Sequence, residues 1–66
     1  MQTVLSAPAV PIGRIKSFGK LGEQYEVIGP LRAMPSGDWW IEIQVVKTGE
    51  KAEYPLSHIY RDPDGI

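Results

Sequence analysis

The side chains able to do acid–base, nucleophilic or ligand chemistry are few, and their spacing points to contact rather than catalysis. His58 is the lone histidine, with Ser57 directly before it. Adjacency in sequence does not make a nucleophile–base pair, which depends on spatial geometry. No acid stands at a telling spacing, so His58 reads as a structural or exposed side chain. Glu42 and Glu53 can face each other across neighbouring strands, but paired carboxylates on an open sheet form a solvated face. General acid–base work needs a cleft around it. Asp62-Pro63-Asp64-Gly65 has the outline of a calcium loop, yet the sequence stops before the bidentate glutamate such a loop requires. With no cysteine, thiolate metal sites, disulfides and cysteine nucleophiles are excluded. The expectation is no catalytic residue, no metal and no cofactor.

Two kinds of binding chemistry remain. Gly19-Lys20-Leu21-Gly22 matches the loop by which KH domains clamp a nucleic-acid backbone. That loop joins helices, whereas this one lies between strand-like segments, so a plain turn is the better reading. Arg14, Lys16, Lys20 and Arg32, with Phe18 and Tyr25, could instead assemble a basic and aromatic face of the sort small barrels use for single strands. An isoelectric point near 5.7 and the nearby Glu23 and Glu26 weigh against it. Nucleic-acid binding therefore stands as the alternative, and Phe18 and Tyr25 read first as core.

Trp39-Trp40 is more informative. Neighbours on a strand point to opposite faces, so both indoles cannot enter one core. If Trp39 goes inward with Ile41 and Ile43, Trp40 emerges beside Glu42 and Gln44, with Val46 further along. A large aromatic outside a small sheet marks a contact surface. Val4 and Leu5, in the uncharged stretch Met1–Pro11, could dock an extended arm onto a groove of a partner subunit. Trp40, Val46, Val4 and Leu5 are therefore the expected partner or dimer contacts.

The elements that must position these residues are mostly strands. Pro8 and Pro11 forbid a helix interior, and residues 1–11 read as a flexible arm without the charge or apolar core of a secretory signal. Residues 12–66 read as one small β domain. Ile12 to Phe18 forms a half-exposed strand carrying Ile15 between Arg14 and Lys16. A turn at Phe18–Gly22 follows, its two glycines supplying positive φ. A second strand begins near Glu23, and Gly29-Pro30 kinks it or puts it at an edge. Pro35-Ser36-Gly37-Asp38 is the clearest hairpin turn. Trp39 to Val46 then alternates strictly, Thr48-Gly49-Glu50 closes a second hairpin, and a short strand carries Ala52, Tyr54 and Leu56. Ser57 is the expected N-cap of one helical turn, which Pro63 ends. The fold class is all-β: a four- to five-stranded antiparallel meander, or a partly open barrel of SH3-like type, with one C-terminal helical turn.

Length and charge narrow the rest. A chain of 66 residues is a single domain that buries only about 60% of its unfolded surface, and oligomerisation is a common remedy. No apolar run approaches the ~18 residues of a membrane span. Residues 1–37 carry a net +2 and residues 38–66 a net −3, which allows opposite-signed surfaces to meet across a dimer. A homodimer is expected, by edge pairing or by exchange of a segment about Gly29-Pro30 or Pro35-Ser36-Gly37.

Pro11-Ile12-Gly13, Phe18-Gly19, Tyr25-Glu26-Val27, Gly37-Asp38-Trp39, Thr48-Gly49-Glu50, Tyr54-Pro55-Leu56-Ser57 and Asp62-Pro63 together resemble a family of short, uncharacterised bacterial proteins, a domain of unknown function, over roughly residues 11–63. These are turn and strand signatures. The resemblance implies a stand-alone bacterial cytoplasmic protein and assigns no residue a catalytic role. The reading is a non-catalytic protein-interaction or dimerisation module.

Overall fold

Strict alternation decides the centre of the sheet. The computed structural model describes residues 8–65. Its four strands are β1 (Ile15–Ser17), β2 (Gln24–Ala33), β3 (Trp39–Val45) and β4 (Lys51–Pro55), and the helix α1 (Leu56–Arg61) follows them. The strands pair antiparallel in the order β1-β2-β3-β4. This is the meander; β1 and β4 lie at opposite edges, so the sheet stays open and the SH3-like barrel does not form. Closure would need long edge strands, and β1 has three residues.

One face of the sheet is covered by α1 instead. Tyr25 and Val27 of β2, Ile41 and Ile43 of β3, and Leu56 and Ile59 of α1 form the buried core. Val10, Phe18, Trp39 and Tyr54 pack around it. Trp39, Ile41 and Ile43 thus share the inward stripe, as their alternation with Trp40, Glu42 and Gln44 requires.

Several local expectations change. β1 is shorter than Ile12–Phe18, because Arg14 N–H closes a turn on the Pro11 carbonyl at 3.2 Å. Its faces are also inverted. Lys16 pairs with Tyr25 and points to the core side, its side chain only 13% exposed, while Ile15 pairs with Glu26 on the outer face. β2 runs through Gly29-Pro30 and stays paired to β3 beyond it, while β1 pairs only with residues 24–26, so the dipeptide lies where β2 has no strand on its other side, as the proline requires. The ladder absorbs the proline by slipping register between Val27 and Gly29 and again between Pro30 and Arg32.

Ser57 does not cap α1. Pro55 holds the N-cap position, and Asp38 does the capping from across the sheet. Its carboxylate accepts the Ser57 hydroxyl at 2.6 Å and the Ser57 N–H at 3.2 Å. It also accepts the Trp39 N–H at 2.8 Å. The Ser57 hydroxyl, followed by the Trp39 amide, holds the Asp38 carboxyl below its ordinary range. Asp62 ends the helix, as Pro63 dictates, and the segment beyond is more than a turn. Ser17 N–H donates to the Pro63 carbonyl at 3.0 Å, and Gly65 N–H to the Ile15 carbonyl at 2.9 Å. Lys16 and Asp64 form a bridge, and the Gln24 amide donates to the Gly65 carbonyl. The tail thus seals the outer edge of β1.

In the β1–β2 turn, Gly19 has φ +68° as expected, but Gly22 does not take a positive φ. Gly22 is needed for close approach, since a Cβ there would overlap the Phe18 carbonyl oxygen. That oxygen is backbone and cannot swing aside. Gly22→Ala is expected to destabilise the protein by about 2 kcal/mol, outweighing the ~0.4–1 kcal/mol gained from a stiffer unfolded chain. A thermal melt that does not fall by several degrees would contradict it.

No helix among the described residues is long and apolar enough to cross a membrane.

Candidate functional site

The outer face of the sheet carries Trp40, as the alternation predicted, but not as a bare indole. The second register slip in β2 sets Arg32 directly opposite Trp40. The Arg32 guanidinium lies 5.9 Å from the indole centroid, within cation–π range. It continues to Glu53 on β4 in a two-pronged contact of 2.7 and 3.3 Å. That pair raises Arg32 above its ordinary pKa and lowers Glu53 below its own. Pro55 flanks Trp40 from β4. The result is a half-buried ring under a charged lid.

Val46 is exposed but lies just beyond the far end of β3, about 20 Å from Trp40 by strand rise. There it joins the fully exposed Leu21 around an open groove of 310 Å³, floored by Gly22, Glu23 and Gln24. Trp40 and Val46 are therefore two surfaces. Val4 and Leu5 lie outside the described residues.

The four cations of the nucleic-acid alternative do not converge. Arg14 and Lys16 meet at Asp64, at 3.1 and 3.9 Å. Arg32 is committed to Glu53 at the other end of β2. Lys20 projects from the β1–β2 turn. The aromatics that would stack bases are turned inward: Phe18 packs on Tyr25 with centroids 4.5 Å apart, and Tyr25 is fully buried. Lys16 instead lines an open groove of 400 Å³ with Ala9, Val10, Pro11 and Tyr60. The Tyr60 hydroxyl donates to the Ala9 carbonyl at 2.6 Å and so holds that stretch of chain against α1.

A second carboxylate accepts three hydrogen bonds, a role its place in the terminal turn did not announce. Asp62, at the end of α1, accepts hydrogen bonds from the Tyr25 hydroxyl at 2.7 Å and the Tyr54 hydroxyl at 2.9 Å. It also accepts the Gly19 N–H at 3.3 Å. Burial, then the bond to Asp62, pushes the Tyr25 phenol far above its ordinary value; the same causes push Tyr54 up to about 12. Phe18 and Tyr54 close the aromatic cluster edge-to-face at 5.2 Å, and His58 stands edge-on to Tyr54 at 5.5 Å. A carboxylate held by two phenols and an amide is a clamp joining the β1–β2 turn, β2, β4 and α1. The signal in the sequence was two tyrosines on inward stripes, whose hydroxyls must find partners. His58 is exposed.

The two edges of the sheet differ. The β1 edge is covered by the C-terminal tail. Along β4, Val45 N–H donates to the Glu50 carbonyl at 2.8 Å. Antiparallel alternation from that bond aims the backbones of Ala52 and Tyr54 at β3 and those of Lys51 and Glu53 outward. No strand among the described residues pairs with that outer side.

Comparison with known proteins places these features in a family context. A family of unknown function, DUF5397, matches residues 3–65. An uncharacterized protein of Haemophilus influenzae is 40% identical over 55 residues, spanning 83% of this chain and 87% of that protein.

Proposed function

The chain belongs to the DUF5397 family of unknown function, and from its geometry we propose that it acts by association, as a small non-catalytic interaction module that is homodimeric. The observation that carries this reading is the asymmetry of the sheet. Its inner face is covered by α1 and its β1 edge by the tail, while the outward backbone groups of β4 meet no strand among the described residues. Exposed ladder groups invite another strand. The small core supports the same reading, because the six buried side chains among the described residues give a chain of this size little stability to spare. We propose a bacterial cytoplasmic location, an expectation carried by the resemblance to short bacterial proteins. Catalysis has no support in the site. The most perturbed side chains, Tyr25 and Tyr54, are turned inward onto Asp62 and serve the fold.

Light scattering behind size exclusion at micromolar concentration tests the proposal. The expected mass is twice the 7.3 kDa of the chain. A constant monomer mass across that range overturns it.

A further inference from the structure

We propose that the second copy adds to the outer edge of β4, antiparallel, about a two-fold axis at Ala52, with Lys51 of each copy opposite Glu53 of the other. This deepens the dimer reading above and rests on it.

The geometry follows from three observations. Lys51 and Glu53 are the β4 residues whose backbone N–H and C=O groups face outward, and both are exposed. In a two-fold antiparallel pair centred on Ala52, each Lys51 exchanges both main-chain hydrogen bonds with the other copy's Glu53. That gives four bonds across the seam. Residues directly opposite share a face, so the Lys51 ammonium meets a Glu53 carboxylate twice. Sliding one strand by two residues in either direction sets Lys51 against Lys51 or Glu53 against Glu53. Charge therefore selects one register. Pro55 cannot donate and bounds the ladder at its far end. Glu53 retains acceptor capacity beside its contact with Arg32, since a carboxylate offers roughly four lone-pair sites.

The edge is also self-complementary in a way a foreign strand would not be. An isologous contact places each residue of the pair on both subunits. One cation and one anion, two residues apart on an edge strand, satisfy that condition without a second surface.

Two sets of variants test it in the intact chain, with circular dichroism confirming an unchanged fold. Ala52 is exposed and sits on the axis as a non-hydrogen-bonded pair, with Cα atoms about 4.5 Å apart, inside the disulfide range. The protein has no cysteine of its own. Ala52→Cys is expected to give a covalent dimer on mild oxidation, and Ser36→Cys, on the β2–β3 turn, is not. Lys51→Glu and Glu53→Lys are each expected to weaken self-association at least about tenfold, because each homodimer then sets like charges opposite. An equimolar mixture of the two restores both ion pairs and recovers the dimer.

A wild-type dimer whose Ala52→Cys form does not cross-link, and whose charge variants dimerise unchanged, overturns this seam and leaves the dimer reading standing. A wild-type monomer removes both.

Discussion

Replacing Asp62 with alanine is expected to lower folding stability by about 3 kcal/mol. The Tyr25 hydroxyl is buried and donates to this carboxylate at 2.7 Å, so removing the acceptor leaves a polar group without a partner inside the core. Such a group carries its full desolvation penalty, and hydrogen bonds to a charged acceptor are the stronger kind. The Tyr54 hydroxyl loses its acceptor at the same time, as does the Gly19 amide. A domain of this size has only about 3–5 kcal/mol in total, so Asp62→Ala is left with about 0–2 kcal/mol and is expected to be up to half unfolded at room temperature. Asp62→Asn keeps a carbonyl oxygen for one phenol and should fall between the two. Urea titration followed by tryptophan fluorescence reads the difference. An Asp62→Ala midpoint equal to that of the wild type would show that the clamp contributes nothing.

Alkaline pH should reach the same cluster from the other side. Both phenols are held above the ordinary tyrosine value of 10.0 in the folded state, Tyr25 far above it and Tyr54 at about 12. The protonated form is therefore the one the fold favours. Stability is fully present below pH 10, where the unfolded chain is protonated too. Above it, the unfolded chain releases protons that the folded chain keeps, and Tyr25 alone removes about 1.4 kcal/mol for each further pH unit. Within about two units that sum rivals the stability of a small domain. Tyrosinate absorbance follows the change. The Tyr25 and Tyr54 share of it should appear only together with the loss of circular dichroism, well above pH 10. Ionisation of these two phenols near pH 10 with the fold intact would contradict this.

What the residues announced in advance was whatever depends on near neighbours. The β3 stripe was legible because seven residues alternate without a fault, which fixes Ile41 and Ile43 inward and Trp40 outward. The turns at 35–38 and 48–50, and the stop imposed by Pro63, were legible because glycine and proline act locally. What escaped depends on partners far along the chain. β1 is too short to show a period, so the face of Lys16 is set by pairing with Tyr25. Asp38 caps a helix 19 residues away, and Asp62 reaches a tyrosine 37 residues back. Neither spacing carries a pattern. Arg32 comes over Trp40 only because β2 slips register beside Pro30, and that turns an expected bare indole into a covered one. The meander and the barrel diverge on whether a helix or a closing strand covers the apolar face, which the strand pattern alone does not decide.

The sealing of β1 gives the molecule a polarity. Ala9, tethered by Tyr60, and Gly65, tethered by Ile15, both lie beside that strand, across the sheet from β4. The described chain therefore enters and leaves on one flank of the sheet. Two copies joined at β4, as proposed, would make a ribbon eight strands wide with Ala9 and Gly65 of each copy along its outer margins.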